Sequence, residues 1–286
     1  AGFCFIQVIY MKYHIEKNTV QETLVILVYG RKMCSELFPN IFRDETAIRL
    51  MDAIDYDFSE LFKKSDSTMQ RFGFLEVAMR QSDLAFEVRD YLKSHPTAAV
   101  VNLGCGLDAT GRSCDNGSCK IYNLDFADVI AVRNALLPAG EREENIACDL
   151  NDTAWFDNID ASGGAVFFAA GVFYYFLKDQ VKSLVQAMAK AFPCGRLVFD
   201  AANKAAVKLM LKTWIKDAKI QDVGAYFAVS DAKAELSALS PSISASSRGY
   251  MLGYNDLSDP SVSGFFRFLA KVGDKRMNMQ IVKIEF

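Results

Sequence analysis

Residues 98–108 read AAVVNLGCGLD. A run of small and β-branched apolar residues ends in Gly-Cys-Gly and then an acid. An apolar run without alternation is how a strand buried on both faces of a parallel sheet reads. Glycines directly behind it let the backbone turn tightly and approach a ligand closely. The stretch therefore predicts an α/β fold with a ligand lying across the carboxyl end of this strand. A pyrophosphate-binding Gly-x-Gly-x-x-Gly is left incomplete. Gly104 and Gly106 fit, but position 109 is Ala and the next glycine is Gly111.

The following segments extend the reading. Residues 120–124 (KIYNL), after the turn signal Asn116-Gly117-Ser118, form a second short strand that ends in Asp125. That carboxylate stands about twenty residues past the glycine turn, where an acid accepts hydrogen bonds from ribose hydroxyls. A third strand over residues 144–148 ends in Asp149-Leu150, a carboxylate for an exocyclic adenine amine and an apolar cover for its ring. Residues 165–170 (AVFFAA) are a fourth buried strand, followed by Gly171-Val-Phe-Tyr-Tyr-Phe176. A glycine turn and two acids at successive strand ends suit a nucleoside cofactor without phosphates, and S-adenosylmethionine is one. The bland alternative makes both aspartates helix caps or solvated loop residues.

With these motifs in order, the chain resembles the leucine carboxyl methyltransferase family, in the branch of tetracenomycin-type polyketide O-methyltransferases. The matching stretches are HPTAAVVNLGCGLDATGR, YNLDFADVI, CDLND and AAGVFYYF, within residues 22–200; the rest matches loosely. The resemblance implies a Rossmann-like class I methyltransferase fold: a mostly parallel seven-stranded sheet, helices on both faces and an N-terminal helical extension. It implies cofactor contacts at Gly104, Cys105 and Gly106, with Asp125 on the ribose, Asp149 and Leu150 at the adenine, and Tyr175 nearby. It also implies an arginine on the preceding helix that clamps the methionine carboxylate. Arg80 matches that position, and a guanidinium suits a carboxylate; the alternative is a solvated charge, with Arg71 and Arg89 close by. An upstream basic residue of the family falls on Arg31 or Lys32. The chain departs from the family at Ala109-Thr110, at Ala127, and at Ala170, which stands where the cofactor site usually has Glu.

The remaining sequence is in keeping with an enzyme. About half of the 286 residues are apolar, enough for a sizeable core, and the net charge of −3 gives no footprint for nucleic acid. Seven scattered cysteines without a Cys-x-x-Cys indicate a reduced cytoplasmic setting and no metal site. The apolar segment 3–11 is too short to span a bilayer, so no membrane partner is expected. Helices are expected over residues 19–35, 44–55 and 67–94, making residues 1–95 a helical cap and 96–286 the cofactor-binding unit. Helices over 178–192 and 203–216 and a strand over 196–200 follow. Residues 223–229 and 279–286 are further candidate strands, the latter a final edge, with a Ser-rich loop over 237–249 between them.

The acceptor is argued from what is missing. Methyl transfer is favoured by positioning and by exclusion of water. A hydroxyl acceptor of high pKa usually needs a base, most often His. Only His14 and His95 are present, and His95 precedes the first strand, at the end opposite the site. A carboxylate acceptor is already ionised. The expectation is therefore O-methylation of a carboxylate, or an acidic hydroxyl, of a small molecule such as a polyketide-type metabolite. Phe173 and Phe176 are expected in the core. The alternatives are a degenerate methyltransferase fold that binds cofactor or a partner without turnover, and an NAD(P)-dependent oxidoreductase.

Overall fold

The computed structural model describes residues 12–15, 20–59, 62–63, 67–210 and 227–286. The apolar segment 3–11, residues 211–216 of the expected helix and 223–226 of the expected strand lie outside the described residues.

In chain order the elements are β1 (Tyr13–His14), α1 (Val20–Leu37), α2 (Glu45–Ala53), β2 (Ile54–Asp55) and α3 (Thr68–Ser94). Then come β3 (Ala99–Leu103), α4 (Thr110–Ser113), β4 (Lys120–Asp125), α5 (Ala127–Leu136), β5 (Glu143–Ala147), β6 (Ala165–Ala169) and α6 (Lys178–Ala191). The last are β7 (Arg196–Ala201), α7 (Lys204–Met210), α8 (Ala232–Leu236), β8 (Ser244–Gly249), α9 (Gly264–Arg276) and β9 (Gln280–Glu285). Helix starts follow their side chains: Asp44 accepts from the Ala47 amide and Ser67 from the Gln70 amide. Helix α3 ends at His95, because a residue before Pro96 avoids the helical region.

Seven strands form one sheet in the order β5-β4-β3-β6-β7-β9-β8. All neighbours are parallel except β9, which runs antiparallel to both β7 and β8. The apolar runs divide between two layers with period two. Val100, Ile121, Val166, Phe168 and Val198 face the core shared with α1 and α3. Val101, Leu124, Phe167, Leu197 and Phe199 face the other core, with Trp155 and α6. Strand order reverses between β3 and β6, and open α/β sheets bind ligands at the carboxyl ends beside such a switch.

Two expectations at the C-terminus are corrected. The Ser-rich stretch is not all loop: residues 244–249 are the edge strand β8, paired with β9 from Ser244↔Glu285 to Gly249↔Gln280. Residues 280–285 are accordingly an inner strand. An edge strand covered on one side needs little apolar content; Ile243 and Ala245 supply it, and serines occupy the solvated positions. Within the other expected strand, the described residues 227–229 belong to no strand, although Phe227 and Val229 are buried.

Phe167 lies in the middle of β6, fully buried against Trp155 and Phe192. Phe167→Ala is expected to cost about 3–5 kcal/mol through lost burial and a residual cavity. Urea denaturation should show a lower midpoint at unchanged slope.

Candidate active site

The turn after β3 is built by its glycines. Gly104 has φ +65°, and a Cβ placed on it would lie 2.6 Å from Cγ2 of Val172, so only Gly lets the segment after β6 come this close. The Cys105 amide donates to the Leu124 carbonyl at 2.9 Å, tying the turn to β4. Burial pushes the Cys105 thiol up to about 12, so its role is backbone and packing rather than thiolate chemistry. Two buried arginines hold the turn from below. Arg133 Nη1 donates to the carbonyls of Gly106 (2.9 Å) and Asp108 (2.7 Å). Arg31 donates to the Leu107 carbonyl at 3.0 Å and to Asp44 at 2.9 Å. Of the two upstream basic candidates, Arg31 thus reaches the turn, while Lys32 pairs with Glu36.

Asp125 closes β4 beside this turn. Its Oδ2 accepts from the Gly106 amide and its Oδ1 from the Phe126 amide, both at 2.8 Å. Burial raises its pKa, and these amides partly offset the rise. Asp149 is exposed at the end of β5, where its Oδ1 accepts from the Asn151 amide. An open polar depression lies there, lined by Cys148, Asp149, Asp152 and Trp155. Leu150, expected over an adenine face, is 6% exposed and packs with the core beneath this depression.

On the other side of the switch, the Gly171 amide donates to Asp200 Oδ1 at 2.6 Å. Arg80 Nη1 donates to Asp200 Oδ2 at 3.3 Å. A Cβ on Gly171 would lie 2.7 Å from Arg80 Nη1, so the guanidinium lies directly against this backbone. Arg80 is therefore no solvated helix charge. Burial works against its charge, but Asp200 outweighs it and the pKa is raised. Ala170 is half-buried, Tyr175 is half-exposed in the 3-10 turn Phe173–Tyr175, and Phe173 is buried. Phe176 is half-buried against the core.

Several participants escaped the sequence reading. Asp200 was visible as an acid at a strand end like Asp125 and Asp149. Glu76, Arg80, Asp83 and Glu87 recur at the spacing of one helix face, and in the tertiary structure that face is turned inward. Helix α3 has 27 residues, about 40 Å of length against about 17 Å for a five-residue strand. Its C-terminus meets the start of β3, so its N-terminal half overhangs the strand ends and carries Glu76 above the site. Tyr250, from the loop after β8, donates its hydroxyl to the Glu76 carbonyl at 2.9 Å. Burial raises Glu76 to about 7 although Arg80 pulls it down. Burial likewise raises Tyr174, Tyr175 and Tyr250, so these phenols stay protonated at neutral pH. His14 is exposed on Asp55, and His95 stacks on Tyr91 at the opposite end of the sheet.

The leucine carboxyl methyltransferase family matches residues 26–189, and the chain belongs to that family. A relative, the tetracenomycin polyketide synthesis O-methyltransferase TcmP of Streptomyces glaucescens, is 27% identical over 188 residues, which is 65% of this chain and 67% of the relative. A DUF574 family protein from Streptomyces avermitilis has a similar fold, with TM-score 0.56 at 12% identity over 88% of this chain and 98% of its own. The plantazolicin methyltransferase BamL is similar at TM-score 0.50 and 12% identity over 93% of this chain and 98% of its own. Family and fold together make the protein a class I, S-adenosylmethionine-dependent methyltransferase. Among the described residues no helix is long and apolar enough to cross a membrane.

Asp83 lies lower on the same face of α3, with Oδ1 accepting from Asn255 and Oδ2 without a partner among the described residues. Burial raises it from 3.8 to about 9, so the folded chain keeps this proton while the unfolded chain loses it. Stability therefore falls as pH rises across that window. Asp83→Asn removes the penalty: its melting temperature should exceed the wild type's at about pH 8, and by less at about pH 5, as thermal melts would show.

Proposed function

We propose that this protein is an S-adenosylmethionine-dependent O-methyltransferase acting on a carboxylate, or an acidic hydroxyl, of a small molecule of polyketide type. The observation that carries the reading is the convergence of four groups around the β3/β6 switch: the Gly104–Gly106 turn, Asp125, Asp149 and Arg80. These residues fit S-adenosylmethionine. The turn is a cradle that a Cβ on Gly104 would spoil. Carboxylates suited to ribose hydroxyls and an adenine amine stand at adjacent strand ends. Arg80 is kept charged and would hold the methionine carboxylate. Gly104, Cys105, Gly106, Ala170 and Tyr175 would line the remainder, with Leu150 supporting from the core. When bound, the cofactor supplies an electrophilic methyl group on a sulfonium sulfur.

The chain's own part is to bind, orient and exclude water. The name of the tetracenomycin relative supports O-transfer to a polyketide-like acceptor. The near-neutral charge supports a small-molecule partner rather than nucleic acid or a membrane surface. The described cysteines are all free, which supports work in a reducing cytoplasm.

Asp125→Ala removes charge-assisted contacts worth about 1.5–3 kcal/mol. It should weaken S-adenosylmethionine binding at least tenfold in calorimetry with the circular dichroism spectrum unchanged. Equal affinity would sink the cofactor site. His14→Ala and His95→Gln should transfer labelled methyl to a panel of phenols and organic acids within a few-fold of wild type. A loss of about a hundredfold in either variant, with cofactor affinity retained, would show a histidine base.

A further inference from the structure

Arg80 is itself held in place. A Cβ on Gly104 would meet Val172 at 2.6 Å, and one on Gly171 would meet Arg80 Nη1 at 2.7 Å. The glycine turn and the guanidinium thus abut adjacent residues of one short segment. Arg80 Nη1 donates to Asp200 Oδ2 at 3.3 Å, and the other Asp200 oxygen accepts from the Gly171 amide at 2.6 Å. Residue 170 is Ala, so β6 brings no acid to this segment, and the carboxylate that meets Arg80 comes from the neighbouring strand β7. The phenols of Tyr174 and Tyr250, which also act on Arg80, stay protonated through burial and bring no charge. With Nη1 engaged, the Nε/Nη2 edge of the guanidinium remains, and its two parallel N–H groups match the two oxygens of a carboxylate. Among the described residues that edge has no hydrogen-bond partner. It is not enclosed either: the side chain is 15% exposed, and no Arg80 nitrogen is both buried and partnerless.

We propose that Asp200 is a positioning residue for the methyl donor: by holding Nη1 it fixes the guanidinium so that the Nε/Nη2 edge receives the carboxylate of S-adenosylmethionine. The inference rests on the reading of Arg80 as the carboxylate clamp given above. An unrestrained arginine loses rotamer freedom when it grips a ligand. Arg80, held by Asp200 beforehand, has already lost it, so the donor meets a formed fork. Charge works the other way, since Asp200 repels an incoming carboxylate. Orientation outweighs that repulsion, because the guanidinium keeps its charge with both anions, whereas a misaligned fork forfeits the paired hydrogen bonds outright.

The test compares two ligands on the whole chain by calorimetry: S-adenosylhomocysteine and its decarboxylated counterpart, which keeps the nucleoside and the amine. Wild type should bind S-adenosylhomocysteine about thirtyfold more tightly, and Arg80→Ala should bring the two within about threefold. Asp200→Asn keeps an oxygen for the Gly171 amide and leaves Arg80 charged. It should weaken S-adenosylhomocysteine about tenfold while the decarboxylated ligand stays within about threefold of wild type. Combining the two substitutions should weaken S-adenosylhomocysteine no further than Arg80→Ala alone. An equal loss on both ligands would make Asp200 a support of the backbone only, and tighter S-adenosylhomocysteine binding would make it a competing anion; either result overturns the assignment. A second measurement needs no Asp200 variant. In ligand-free wild type labelled with nitrogen-15 arginine, the Arg80 guanidinium, assigned by its loss in Arg80→Lys, should give separate Nη resonances. A single averaged resonance would show a guanidinium that Asp200 does not hold, and would equally overturn the proposal. Wild type that binds neither ligand, or both alike, would instead overturn Arg80 as the clamp, the reading on which the inference stands.

Discussion

The Asp200 carboxylate is the joint on which the site depends. It closes β7, and its two oxygens receive the Gly171 amide behind β6 and the Arg80 guanidinium of α3. One side chain thus aligns two strand ends and the overhanging helix. Asp200 is 4% exposed and the Arg80 side chain 15%, so the pair sits where losing either partner would strand a buried charge. Such a pair adds little net stability for its desolvation, but it permits few alternative arrangements. Positioning a cofactor and an acceptor to within a fraction of an ångström calls for that kind of constraint.

A second constraint fixes the opposite wall. The glycine turn has no side chains to anchor it, so its carbonyls are held from beneath by Arg133 and Arg31. Arg133 is oriented in turn by Asn145, which also accepts from Asn123, its partner across β4 and β5. Asn102 sits opposite Asn123 on β3. A polar line therefore crosses three adjacent strands and ends at the turn that would cradle the cofactor. Buried amides are costly unless paired; Asn123 Nδ2 is paired with Asn145, while Asn102 Nδ2 and Asn123 Oδ1 have no partner among the described residues.

The face of α3 carrying Glu76, Arg80, Asp83 and Glu87 joins these walls to the C-terminal strands. Glu87 receives Arg196, Lys283 and the Tyr254 hydroxyl. Arg196 also bridges to Asp90 and Glu285. The lower part of the stripe is thus neutralised by β7 and β9. At Arg80 the neutralising charge is the carboxylate of Asp200.

Patterning alone determined the parallel strands of the sheet. Residues 98–103 and 165–170 are locally clear, because a strand buried on both faces reads as a near-continuous apolar run, broken here only by Asn102. The glycine turn and Asp125 were legible for the same reason, since each closes or follows such a strand, whereas Asp149 follows the largely exposed edge strand β5. The edge strand over residues 244–249 was not, since a half-covered edge of serines carries no apolar run and exists because β9 offers it unpaired backbone groups. Nor did spacing reveal the direction of the charged stripe on α3. A face of acids and arginines reads as solvated until Asp200, Arg196 and Lys283 arrive from distant strands to neutralise it. Which side chains are buried ionised is a matter of long-range charge pairing, and only the tertiary structure decided it.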